Sequence, residues 1–220
     1  LPTELNDIYG VCTGRNTHGQ LDVFANDKDG RLLQLRVHHG DGPDGPWRAQ
    51  VVRRLQLDSQ PEGCVVDEVT QTLFVGEEKR GIWRVALNTE NAAPELVVPV
   101  GGTLHADVEG LAIYHGKAGE HYLVVSSQGN DSYLVLDATA PYTLRAAFRV
   151  GINAHAGIDA TSETDGLAVT AANLGAPYGQ PAGDTDFVAA VSRPPEKLRV
   201  GVTRKAFLAD EQHREIVAAV

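Results

Sequence analysis

The chain has 220 residues and a formal charge of −10, from 19 Lys plus Arg against 29 Asp plus Glu. That length suggests one domain, or at most two small ones, and the acidic balance excludes a surface built to neutralise nucleic-acid phosphates or an anionic membrane. No apolar run approaches the roughly 18 residues of a membrane-spanning helix, which points to a soluble protein.

In chain order, the sequence opens on Leu1-Pro2-Thr3, without methionine and without a basic-then-apolar leader, so it reads as a mature piece or an excised fragment. Tyr9-Gly10 leads into the first short apolar run, and a second run ends in the polar cluster Asn26-Asp27-Lys28-Asp29. Runs at 32–37 and 51–57 follow. Glu62-Gly63 starts the same sequence of events, with the triplet Leu73-Phe74-Val75, the cluster Glu77-Glu78-Lys79-Arg80, and runs at 82–87 and 95–98. Glu109-Gly110 starts it a third time, with Leu123-Val124-Val125, Ser126-Ser127-Gln128-Gly129-Asn130, and runs at 133–136 and 144–150. Asp165-Gly166 opens a fourth unit, and the four glycines are 53, 47 and 56 residues apart.

Short Val-, Leu-, Ile- and aromatic-rich runs bounded by Gly, Asn, Asp and Pro are strand and turn signals. The continuous apolar triplets suit strands covered on both faces. Four strands per unit of roughly 50 residues is the arithmetic of a β-propeller blade. A Greek-key sandwich is the alternative, but it does not predict the same glycine step at the start of each unit. Cys12 and Cys64 are too few for a disulfide scaffold or a four-cysteine zinc site, and they read as small buried core residues that leave the redox compartment open. Trp83 and Tyr133 are expected to pack between blades and carry no chemistry.

Radial repetition places the starts of successive blades around one axis, and with them side chains remote in sequence. It gathers Glu62, Glu78, Asp107, Glu109, Gln128, Asp159 and Asp165 at one opening. So many oxygen donors repel one another unless cations lie between them, and a set without imidazole or thiolate selects Ca²⁺. The competing reading is turn chemistry alone, with every carboxylate solvated. His18, His38, His39, His105, His115, His121 and His155 show no metal-type pairing apart from the adjacent His38-His39, and are expected on exposed loops.

The segments Gln60-Pro61-Glu62-Gly63, Leu73 to Glu78 and Ile82-Trp83-Arg84 resemble those of the β-propeller phytases. So do Ala106-Asp107-Val108-Glu109-Gly110-Leu111, Tyr122 to Asn130 and Thr161 to Gly166. The resemblance covers about residues 6–180. It implies a six-bladed all-β propeller that hydrolyses phytate, inositol hexakisphosphate, with Ca²⁺. It also implies that Glu62, Glu78, Asp107, Glu109 and Gln128 hold the catalytic calcium cluster or its water, with Glu78, Asp107 and Glu109 at the chemistry. Asp159 and Asp165 are implied as further acidic members of that face. Tyr9 and Lys28 resemble contacts to substrate phosphate, and Asp29 stands where a glutamate is expected, one methylene short. By the same resemblance the protein is secreted or periplasmic.

Roughly 175 residues at about 50 per blade give three to four blades, whereas closure takes at least four. Open sheet edges and bare inter-blade faces therefore predict self-association. Residues 181–220 form a separate tail, with an apolar strand at 198–202 and helical spacing toward Val220, giving a short α/β-like extension. The tail resembles a short stretch of the amidase-signature family but lacks that family's Ser-Ser-Lys machinery. Three readings result: a truncated calcium-dependent phytase, a non-catalytic calcium-binding propeller segment that binds phosphorylated ligands or other chains, and, more weakly, an arylesterase- or lactonase-like propeller.

Overall fold

The computed structural model describes residues 4–40, 45–116, 119–155, 157 and 159–171. The expected tail at 181–220 lies outside the described residues. Twelve strands form three four-stranded sheets, each running in sequence order from one edge to the other. The first holds β1 (Ile8–Arg15), β2 (Leu21–Asp27), β3 (Arg31–His39) and β4 (Trp47–Gln56). The second holds β5 (Pro61–Asp67), β6 (Thr72–Glu77), β7 (Gly81–Ala86) and β8 (Glu95–Pro99). The third holds β9 (Val108–His115), β10 (His121–Ser127), β11 (Ser132–Asp137) and β12 (Leu144–Phe148). All neighbours are antiparallel. The fold is the expected all-β propeller type, with three complete blades described.

Burial follows from how blades stack. Every residue of β6 is buried, because its sheet is covered on both faces, and this is why Leu73-Phe74-Val75 shows no alternation. One core layer joins Phe24 and Leu32 of the first blade to Val66, Leu73, Val75 and Val85 of the second. Another joins Phe74 and Ile82 of the second to Leu111, Leu123, Val125 and Leu134 of the third. Each such side chain contributes about 1.5–3 kcal/mol on burial. The outer strands β4 and β12 alternate or stay half-exposed, as an edge facing water should.

The innermost strands are adjacent from blade to blade, β1 beside β5 and β5 beside β9. Glycine makes this spacing possible. A Cβ on Gly10 would meet the Glu62 carbonyl oxygen at 2.0 Å, one on Gly63 the Glu109 carbonyl at 2.4 Å, and one on Gly110 the Asp165 carbonyl at 2.4 Å. The repeated glycine step is therefore the contact by which one blade seats on the next, and Gly110 N donates to Asp165 O at 2.9 Å, although residues 159–171 form no strand.

The same close approach corrects the reading of the cysteines. Cys12 on β1 and Cys64 on β5 form a disulfide, with Cα atoms 5.6 Å apart, rather than two independent core residues. It fastens the first blade to the second.

Candidate metal centre

Polar side chains at one end of the inner strands converge because each blade repeats the same register. Glu62 and Glu109 occupy equivalent places on β5 and β9, and Glu78 follows β6 directly. These three each offer a carboxylate oxygen, and the oxygens all lie within 4.8 Å of one another. Lys28, Glu78 and Gln128 are equivalent residues, each one step past the second strand of its blade.

Buried carboxylates one residue back hold these turns in place. Glu77 is fully buried and accepts hydrogen bonds from Ser59 N at 2.5 Å, Ser59 Oγ at 2.7 Å and Trp83 Nε1 at 2.6 Å. Asp27 accepts from Asp29 N and Arg31 N, both at 3.1 Å, and pairs with Arg31 Nη2 at 2.6 Å. In the third blade Ser127 takes this place: its Oγ accepts from His105 N at 2.9 Å and donates to His105 O at 3.1 Å. That bond steadies the loop carrying Asp107, whose carbonyl accepts from Gln128 N at 3.0 Å. Trp83 thus does more than fill space, since its ring nitrogen helps fix the turn beneath Glu78.

Like charges at this range are relieved by protons. The Glu78 carboxyl is pushed up to about 7 by burial, then by Glu62 and Asp107. Glu109 is also pushed up to about 7, by burial first and then by Asp165, Glu78 and Asp107. Burial and Glu109 raise Glu62 as well. The Tyr9 hydroxyl is raised, chiefly by the charge of Glu62 and then by burial and by Glu109. Such a group holds protons that a metal ion could replace, and its donors are all oxygen.

The remaining expected residues are placed as follows. Asp107 lies close enough to raise both Glu78 and Glu109. Gln128 Nε2 donates to Asp165 Oδ1 at 3.0 Å, and Asp165 acts on Glu109. The Lys28 ammonium sits 4.3 Å above the Tyr9 ring centroid, a cation–π contact beside the glutamates. Asp29 turns toward Arg31 Nη2 at 3.1 Å and Asn6 Nδ2 at 3.3 Å. Asp159 is exposed and accepts from Ala160 N at 2.7 Å, and no described contact joins it to the three glutamates.

Two polar residues were not singled out from sequence. Gln60 Nε2 donates to Glu62 Oε1 at 2.7 Å and to Glu78 Oε1, bridging the two carboxylates. Asn26 spans two blades, accepting from Gly10 N and donating to Glu62 O, both at 2.9 Å. Gln60 precedes the Pro61-Glu62-Gly63 step, which was a signal available in the motif itself.

The histidine expectation needs a larger correction. His115 and His121 are not isolated loop residues but cross-strand partners on β9 and β10, with rings stacked at 4.6 Å. Both face the buried Asp67.

An arc of four-stranded blades that gathers carboxylates at one end of its inner strands defines a β-propeller with an acidic mouth able to hold a metal ion. The chain belongs to the phytase family, whose family model, Phytase, matches residues 1–190. It is 33% identical over 181 residues to the 3-phytase of Bacillus subtilis (strain 168), an alignment covering 81% of this chain and 46% of that protein. The chain thus spans about half the length of this curated relative. The C-terminal WD40 domain of Sif2 aligns over 66% of this chain and 38% of its own, at 12% identity and a TM-score of 0.44.

Proposed function

We propose that the acidic mouth binds Ca²⁺ and serves hydrolysis of phosphate monoesters on phytate. The observation that carries this reading is the convergence of Glu62, Glu78 and Glu109 from two blades, with carboxylate oxygens within 4.8 Å. The donor set fits the ion: carboxylates and an amide, without nitrogen or sulfur ligands, suit a hard cation that accepts many oxygens. Glu62, Glu78, Asp107 and Glu109 hold it, with Gln128 and Asp165 as further donors, whereas Asp159, which no described contact joins to the glutamates, is left out of the set.

When bound, calcium neutralises phosphate charge and makes a coordinated water more acidic. The rest falls to side chains of this chain. Glu78, Asp107 and Glu109 orient the attacking water by accepting its hydrogen bonds. Lys28, steadied over Tyr9, presents its ammonium to a substrate phosphate, and the Tyr9 hydroxyl offers a hydrogen bond to another. Asp29 contributes at one remove, by holding Arg31 at the rim. A chain of charge −10 repels a hexakisphosphate at long range, and a cation bound among the glutamates would reduce that repulsion at the mouth.

The family relation and the inter-blade disulfide both favour a location outside the reducing cytosol, secreted or periplasmic. Among the described residues no helix is long and apolar enough to cross a membrane.

The test is release of inorganic phosphate from phytate by the full chain in calcium and in EGTA. Release in calcium that vanishes in EGTA supports the proposal, and release unaffected by EGTA overturns it. Because the chain spans about half of its relative, binding without turnover is the second reading. Calcium-dependent retention of phytate without phosphate release would establish that reading instead.

A further inference from the structure

We propose that Asp67, His115 and His121 form a second metal site, for Zn²⁺ or a similar transition-metal ion, joining the second and third blades at the face opposite the acidic mouth. Glu62 and Asp67 lie near opposite ends of β5, and Glu109 and His115 near opposite ends of β9, so the two clusters are separated by the length of the inner strands.

Three observations converge on a metal. First, the ligand atoms are suitably spaced: His115 Nε2 is 3.6 Å from Asp67 Oδ1, His121 Nε2 is 3.0 Å from Asp67 Oδ2, and all three ligand atoms lie within 4.8 Å of one another. Ligands bonded at about 2.0–2.1 Å to a tetrahedral Zn²⁺ lie roughly 3.3 Å apart, and each imidazole nitrogen stands near that distance from one or the other oxygen of the Asp67 carboxylate. Second, His121 Nε2 is buried and makes no hydrogen bond, although the carboxylate oxygen is 3.0 Å away. Its ring is therefore beside Asp67 without being aligned as its donor, which suits two ligands flanking a common ion better than a simple ion pair. Third, Asp67 is fully buried and already oriented, with Oδ1 accepting from Val69 N at 3.1 Å and Oδ2 from Thr70 Oγ1. Outer partners of this kind fix a ligating carboxylate. A buried carboxylate flanked by two imidazoles is a donor set that a divalent ion would complete.

Imidazole nitrogen separates this site chemically from the mouth. Two histidines and one carboxylate favour zinc-type ions, whereas an all-oxygen set favours calcium. Three protein ligands leave a fourth position, and His115, with 46% of its side chain exposed, opens that position to solvent.

The full chain, stripped with EDTA and then saturated with Ca²⁺, is titrated with Zn²⁺ and separately with Co²⁺. One equivalent should bind in the presence of calcium, and Co²⁺ should give the intense visible absorption of a four- or five-coordinate ion. His115→Gln and His121→Gln should each weaken binding at least tenfold, whereas Glu78→Gln should leave it unchanged. Binding abolished by calcium, an octahedral aquo-type Co²⁺ spectrum, or undiminished affinity in both histidine variants would overturn the proposal. Should a variant fail to fold, the wild-type chain still decides the matter. Zn²⁺ should shift the ring ¹⁵N resonances of two of the eight histidines, and unmoved resonances would refute the site.

Discussion

The bare Cα of Gly63 lies against the main-chain carbonyl of Glu109, so close that a Cβ there would approach the oxygen to 2.4 Å. Neither group can swing aside, since each belongs to an innermost strand. The contact sets the distance between two blades and, with it, the distance between the carboxylates of Glu62 and Glu109.

Gly63→Ala should therefore act on stability and on the site together. Forcing the strands apart costs about 1–3 kcal/mol, the usual range for overpacking, and should weaken calcium binding. Denaturant unfolding and calcium titration of the same variant check both effects. A variant with unchanged stability and affinity would show that the glycine step does not set the mouth.

The protons held at the mouth predict how stability depends on pH. In the metal-free chain Glu78 and Glu109 release protons near pH 7, against an ordinary value of 4.5. The folded state thus binds more protons than the unfolded state between these values. Stability should fall as pH rises from about 4.5 to about 7, with no further loss from this source above that. Melting curves in EGTA across this range should show the decline. Calcium should raise the melting temperature more at pH 8 than at pH 5, because at the lower pH it competes with protons.

Glu109→Gln should separate binding from folding. The amide keeps the shape and removes one of the mutually repelling buried charges. In EGTA at pH 8 the variant should melt at or above the wild-type temperature, while the calcium-induced increase is largely lost. A lower melting temperature in EGTA would contradict the repulsion inferred for this cluster.

Reducing the disulfide should destabilise the chain as a whole. Cys12 and Cys64 are separated by 52 residues, and closing a loop of that size contributes about 4 kcal/mol on the chain-entropy account. Urea unfolding with and without a reductant measures it, as does Cys12→Ser with Cys64→Ser. A loss under about 1 kcal/mol would mean that packing between the first two blades suffices without the bond.

The blade pattern was legible because it is local. Strand runs, turn clusters and glycine steps recur within one stretch of chain, and each of the twelve strands falls on a run or lead-in visible in the sequence. Glu62, Glu78 and Glu109 were legible because the repeat itself implies their convergence. Pairings between blades were not. Joining Cys12 to Cys64 requires the relative height of β1 and β5, which depends on the Gly10 contact rather than on either cysteine's neighbours. His115 and His121 read as isolated because their pairing depends on the register of β9 with β10, and their third partner, Asp67, comes from another sheet. Gln60 was passed over although it opens the Gln60-Pro61-Glu62-Gly63 segment, because its bridging of Glu62 and Glu78 depends on how the turn before β5 meets the end of β6.

The cross-link between the first two blades also has a mechanical side. A pulling force applied through the two ends of the chain passes across the sulfur bridge and bypasses the residues between Cys12 and Cys64. At about 3.5 Å per extended residue, the 52-residue interval stores roughly 180 Å of contour length that stretching cannot release until the bridge is reduced. Force spectroscopy would see β2, β3 and β4 as a silent loop until the bridge is reduced.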